Sequence, residues 1–133
     1  MLYQRMRRRP IILVCDDVEE TRDGIDRLLT DDGYVVAPAR SEDDAVERAG
    51  RQRPDLILLS FGGSPADVVA AGRRIRDRAG LTDDVPVIVF CVPTLRQGAE
   101  VALGANVYVT RPDNFNQLRV FIERLLGGSL TTH

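Results

Sequence analysis

Apolar positions along the chain follow two alternating rhythms. Short unbroken apolar runs occur at Ile11–Cys15, Leu56–Leu59 and Val87–Cys91, with weaker ones at Tyr34–Ala37 and Val107–Val109. Runs of this length, rich in Val, Ile and Leu, predict strands buried on both faces. Between them, apolar residues return every third or fourth place: Ile25, Leu28 and Leu29 within about 18–32, then Val68, Val69 and Ile75. That spacing predicts helices with one apolar face. Their starts carry capping signals. Ser41 with Asp44 opens a helix to about Arg51, Ser64-Pro65 opens the next, and Asn114 with Gln117 opens a last one over Phe115–Leu126. Gly33 stops the first helix. Thr94 is expected to cap a short helix ending at Gly104. The four Arg of the third helix (Arg73, Arg74, Arg76 and Arg78) are expected to face outward.

Five strands thus alternate with five helices, with no internal repeat and no linker-like stretch inside Ile11–Leu126. This predicts an α/β, flavodoxin-like, doubly wound five-stranded parallel sheet. Residues 1–10 form a basic N-terminal arm and residues 127–133 a flexible C-terminal tail. Ligands of such sheets sit beyond the carboxyl ends of the strands. Those ends are Asp16-Asp17, Ser60, Cys91-Val92 and Thr110-Arg111.

Composition narrows the picture. A length of 133 residues fits one domain, and 44% hydrophobic residues suffice for one core. With no Trp and few aromatics, that core is aliphatic. A net charge of −2 argues against wholesale nucleic-acid binding. All 18 basic residues are Arg. No apolar run approaches membrane-spanning length, and MLYQRMRRRP has no apolar stretch behind its charges, so no secretory signal is read. A cytoplasmic protein is expected.

Two adjacent acids at the end of a buried strand are costly without a partner. A hard divalent cation satisfies them, an Arg does so too, or one Asp caps the next helix while the other faces solvent. CDDVEET contains no Gly, so a dinucleotide-binding turn is unsupported. Asp16 is followed by Asp17 and Val18, so the Asp-x-Asp of haloacid dehalogenase-type hydrolases is missing. Gly62-Gly63 read as the turn into the Ser64-Pro65 cap rather than as an anion cradle.

Together, ILVCDDVEETRDGIDRLLTDDGY, RPDLILLS, VPVIVFCV and GANVYVTRP resemble the receiver domain of bacterial two-component response regulators. The resemblance spans about Ile11–Leu126 and implies the strand order 2-1-3-4-5. It implies that Asp16 and Asp17 match the acid pair that helps bind Mg²⁺. The phosphoryl-accepting Asp at the end of the third strand is Ser60 here. The Thr or Ser at the end of the fourth strand is Cys91. The Lys preceding a cis-Pro is Arg111, before Pro112. The aromatic switch of the fifth strand is Tyr108. An acid pair, a Pro and an aromatic are kept, while three chemical positions are changed.

A Ser hydroxyl is a poor nucleophile without a base, and the one His, His133, lies in the tail. Losing a carboxylate at position 60 weakens or abolishes Mg²⁺ binding at Asp16 and Asp17. Arg111 is expected to fork onto Asp16 or Asp17 and fill the pocket. A Cys91 thiol is a weak donor that blunts coupling to Tyr108. Cys15 and Cys91 fall on strands flanking the third, about 9–10 Å apart, too far for a disulfide, and read as buried inert thiols.

The expected function is that of a stand-alone pseudo-receiver, not an enzyme. It binds a signalling protein independently of phosphorylation. The expected output face is the fourth helix, fifth strand and fifth helix, with Leu95, Arg96, Tyr108, Arg119 and Phe115 or Phe121. Phe121 is assigned to core and Arg119 and Tyr108 to surface, and homodimerisation through this face fits. GGS after Leu126 also fits the start of a linker. Two readings stand beside this one. The first is a conventional phosphorylated receiver with a non-standard acceptor, such as Asp16 or Asp17. The second is a nucleic-acid module using Arg5, Arg7, Arg8 and Arg9.

Overall fold

The apolar runs become the middle of a sheet. The computed structural model describes residues 8–90 and 92–127. In chain order these form β1 (Ile11–Asp16), α1 (Glu19–Asp31), β2 (Val35–Ala39), α2 (Glu42–Arg51), β3 (Leu56–Ser60) and α3 (Pro65–Arg78). There follow β4 (Val87–Val89), β5 (Glu100–Gly104), β6 (Val107–Thr110) and α4 (Phe115–Leu125). The sheet order is β2-β1-β3-β4-β6-β5. The first five strands in space pair in parallel, and β5 pairs antiparallel with β6 at the edge. The flavodoxin-like order 2-1-3-4-5 is therefore present, with one strand added.

Alternation along the strands splits the core in two. Leu13, Cys15, Ile57, Leu59, Val87 and Val89 face Ala45 and Ala49 of α2 and Val68 and Ile75 of α3. Ile12, Val14, Leu56, Leu58 and Ile88 face Ile25 and Leu29 of α1 and Leu118, Phe121 and Ile122 of α4. Burial on both faces is why these strands are nearly uniformly apolar. At Gly72 the α3 backbone lies so close to the sheet that a Cβ would stand 2.7 Å from Val87 Cγ1. The three sequence caps form: Ser41 accepts from Asp44 N, Ser64 from Asp67 N and Asn114 from Gln117 N, at 3.0–3.1 Å.

Two expectations are corrected. The helix from Thr94 to Gly104 does not form. Turns span 92–99, with Leu95 N on Val92 O and Ala99 N on Arg96 O, and then β5 begins. Gly98 and Gly104 sit at φ +86° and +96°, outside helical space. Val101 and Leu103 have the strand period of two, and the 105–106 turn places φ at 54° for Ala105 and 63° for Asn106. Two positive φ values in a two-residue loop define the type I′ hairpin turn. The described residues thus contain four helices and six strands rather than five and five. The second correction is Arg76, which points inward and is 5% exposed. Its Nη1 donates to Val85 O at 3.0 Å and its Nη2 lies 3.2 Å from Asp83.

Candidate functional site

β1 and β3 run side by side and end together, with Asp16 in register with Ser60. Asp16 is buried, 2% exposed. Its Oδ1 accepts the amide of Val18, the N-cap residue of α1, at 2.8 Å. Its Oδ2 is buried and has no hydrogen-bond partner among the described residues. Burial pushes the Asp16 carboxyl above the ordinary carboxylate range, and Asp17 adds to the rise. The Val18 N–H and the Arg22 cation oppose it. Arg22 Nη1 donates to the Asp16 backbone carbonyl at 2.8 Å.

Asp17 is exposed, and its Oδ2 accepts from Gly62 N at 3.4 Å, a long bond that ties the acid pair to the turn after β3. Ser60 is half-buried beside Asp16. No group of three His, Cys, Asp or Glu side chains is placed to hold a metal among the described residues. The available donor set is two carboxylates and a hydroxyl. Its one atom in want of a proton or a cation is Asp16 Oδ2.

Arg111 does not pair with Asp16 or Asp17, correcting that expectation. Its Nη1 donates to Pro93 O at 3.2 Å and Leu95 O at 3.1 Å. Its backbone N donates to Ala99 O at 3.0 Å, and its carbonyl accepts from Gly98 N. With no helix over 94–104, the Ala99 amide turns to Arg96 O, and the guanidinium takes Leu95 O together with Pro93 O. Arg111 and Pro112 are joined by a trans peptide bond, which corrects the expected cis bond. Cys91 lies outside the described residues. Cys15 is buried, and desolvation pushes its thiol far up, so it stays protonated.

The expected output face is rearranged. Its members are β5, β6 and α4, and among the described residues β5 stands where the expected helix over 94–104 would have been. Tyr108 is half-buried; its hydroxyl donates to Asn106 Oδ1 at 2.8 Å and its ring meets Phe121 edge-on at 5.5 Å. Phe121 is core, Phe115 half-buried, Leu95 half-buried against the α2–α3 side, and Arg96 exposed. Arg119 is exposed but forks onto Asp32 at the end of α1, at 2.9 and 2.7 Å. In the basic arm, Arg8 forks onto Asp55 at 3.1 and 3.0 Å, while Arg9 is exposed. Arg5 and Arg7 lie outside the described residues.

Two residues at this end have partners that the sequence reading did not assign. Thr110, 1% exposed, donates its hydroxyl to Ala99 O at 2.7 Å and so fastens β6 to the start of β5. Asn106 holds three partners: its Nδ2 donates to Asp83 O, its Oδ1 accepts from Tyr108, and its carbonyl accepts from Val87 N. The Gly-Ala-Asn triplet before the run VYV is a hairpin signal that could have located it.

A doubly wound sheet whose first strand ends in two acids, beside the end of the third, is the architecture of a signalling receiver. Residues 12–123 match the family model of the response regulator receiver domain, and the chain belongs to that family. It is 33% identical over 105 residues to the transcriptional regulatory protein AfsQ1 of Streptomyces coelicolor, covering 77% of this chain and 45% of that one. It is 29% identical over 117 residues to the response regulator MprA of Mycobacterium leprae, covering 86% and 50%. The chain therefore spans about half the length of the curated relatives it matches. In fold it resembles the response regulator TrrA of Thermotoga maritima, solved in complex with Mg²⁺ and BeF, with a TM-score of 0.65 at 21% identity and 87% and 98% coverage. A two-component response regulator from Clostridium difficile gives a TM-score of 0.66 at 17% identity, covering 89% of this chain and 96% of that one.

Proposed function

We propose that this receiver domain signals by binding a protein partner, independently of phosphorylation. The observation behind this is Ser60 beside Asp16. A hydroxyl stands where the sheet would otherwise present a third carboxylate, and no His lies among the described residues to activate it. Arg111, turned to the carbonyls of Pro93 and Leu95, contributes no cation to the pocket. Asp16 and Asp17 would hold Mg²⁺ weakly, through Asp16 Oδ2 and the exposed Asp17 carboxylate. The ion would neutralise their charge. In this reading the chain is a cytoplasmic binding module, not an enzyme. No helix among the described residues is long and apolar enough to cross a membrane. The binding surface is the β5–β6–α4 side, with Arg96, Tyr108 and Arg119. Arg8 is engaged with Asp55, which counts against a phosphate-gripping arm.

One observation favours a second reading: the unpartnered Oδ2 makes Asp16 a conceivable acceptor in place of Ser60. Intact mass spectrometry after incubation with acetyl phosphate and Mg²⁺ separates the two. Unmodified wild type alongside a phosphorylated Ser60→Asp variant supports the binding-module reading. A labile phosphoryl group on wild type overturns it.

A further inference from the structure

A second concavity lies beyond the carboxyl end of β2, the strand at the other edge of the sheet. Its volume is about 340 Å³ and it opens to solvent. α1 contributes Arg22 and Asp23, β2 Pro38, the turn after it Arg40, and α2 Asp44 and Arg48, one turn apart. α1 and α2 cover opposite faces of the sheet, and here they meet around the end of the edge strand. The lining is rich in unspent N–H donors. Arg22 uses Nη1 on the Asp16 carbonyl at 2.8 Å. Arg48 approaches Asp44 through Nε at 3.6 Å, beyond hydrogen-bonding distance. The Arg40 side chain has no hydrogen bond or ion pair among the described residues, while its backbone N donates to Asp44 Oδ2 at 3.1 Å. Asp44 is therefore already engaged. Asp23 is exposed, and its carboxylate has no partner among the described residues.

Guanidinium groups gathered at one concavity with their forks unspent match the several oxygens of a phosphate. The volume falls in the range of small-molecule sites, and a lining of charged side chains suits a polar occupant. Asp23, which only accepts, would repel the phosphate itself and suits a hydroxyl of the same molecule. We propose that this cavity binds a small phosphate ester that carries hydroxyl groups, a sugar phosphate in class. Arg40, Arg48 and the remaining donors of Arg22 hold the phosphate, and Asp23 accepts a hydroxyl. The site uses neither the Asp16 carboxylate nor Ser60, so it stands or falls separately from the binding-module reading.

Calorimetric titration of the full chain with ribose 5-phosphate, at fixed ionic strength and without Mg²⁺, tests this. Saturable one-to-one binding is expected, about tenfold tighter than for inorganic phosphate, the difference that one hydrogen bond to a carboxylate makes. Arg40→Gln and Arg48→Gln should each weaken both ligands about tenfold, by loss of a charge-assisted contact. Asp23→Asn should weaken ribose 5-phosphate and not inorganic phosphate. Arg51→Gln removes the same charge from α2 at an exposed position outside the cavity, and should change neither. Arg40 is exposed and its side chain holds nothing among the described residues, so its variant carries the test if Arg48→Gln fails to fold. No saturable binding at millimolar ribose 5-phosphate overturns the proposal. So does equal affinity for the two ligands, or an equal loss in Arg40→Gln and Arg51→Gln. Phosphoryl uptake by wild type from acetyl phosphate would remove the binding-module reading and leave this site untouched.

Discussion

Asp16 and Ser60 are register partners at the ends of β1 and β3, yet Asp16 Oδ2 is buried with no hydrogen bond from Ser60 or any other described residue. The fold therefore favours the protonated form of Asp16, because burial raises its pKa above that of the unfolded chain. A group of this kind binds its proton more tightly when folded. Its contribution to stability is most favourable below the unfolded value of about 3.9 and declines as pH rises through the folded value. Asp16→Asn keeps an acceptor for Val18 N and removes the charge. It is expected to raise stability at neutral pH by about 1–2 kcal/mol and to flatten that decline. Urea unfolding at several pH values checks this. An Asn variant less stable than wild type at neutral pH would show that Asp16 has a counter-ion in solution.

Ser60→Asp places a third carboxylate beside the acid pair. Without metal, the variant is expected to be less stable than wild type, since like charges are gathered at a partly buried site. With millimolar Mg²⁺ its melting temperature should rise by several degrees, because a ligand that binds only the folded state stabilises it by mass action. Wild type should respond much less. An equal response from wild type would mean that Asp16 and Asp17 suffice and that Ser60 does not limit the site.

The centre of the fold was readable because burial on both faces leaves a plain mark. Ile11–Cys15 and Leu56–Leu59 have no polar residue, and Ser41, Ser64 and Asn114 each announce a helix start that forms. The acid pair and Ser60 were placed at one crevice for the same reason. The edge was not readable in this way. Thr94 in a cap-like position and Gly104 as a stop argued for a helix over 94–104. Against them stood Gly98 and the two-residue period of Val101 and Leu103. The error spread to Arg111, whose charge is visible in sequence but whose partners depend on which carbonyls the preceding segment leaves unspent. Arg76 was misread for a simpler reason. It shares a stripe of α3 with Val68, Gly72 and Ile75, and a long side chain on the buried stripe can still reach a polar partner.

Arg76 provides a stability test within one helix. Truncating Arg76 to Ala leaves the Val85 carbonyl without its donor and opens space under α3, at an expected cost of about 2–4 kcal/mol. Arg74→Ala on the solvent side should change stability little. Arg74 has a different signature. Its hydrogen bonds, at 2.8–2.9 Å, hold the Glu42 carboxyl below its ordinary value. A depressed carboxylate contributes stability above its unfolded pKa and loses it as pH falls through the folded value. Arg74→Ala should therefore lower neutral stability slightly and leave stability at low pH unchanged, so that the acid sensitivity shrinks by that same small amount. Equal losses for Arg74→Ala and Arg76→Ala at neutral pH would contradict the inward position of Arg76.

Asn106 decides whether the hairpin is the solution form of this edge. The turn needs positive φ at both Ala105 and Asn106, and the Asn106 side chain bridges Asp83 O and the Tyr108 hydroxyl. Asn106→Gly loses the two side-chain bonds but keeps the backbone conformation. Asn106→Ala loses the same bonds and also places a Cβ in the left-handed region, an added cost of about 1 kcal/mol. The expected order of stability is wild type, then Gly, then Ala. The chain has no Trp, so its tyrosines dominate near-ultraviolet signals, and release of the Tyr108 hydroxyl should appear in both variants. Without the hairpin, position 106 would need no positive φ and the last two would reverse, since Ala restricts the unfolded chain more than Gly does. Finding Ala more stable than Gly at position 106 would remove the hairpin.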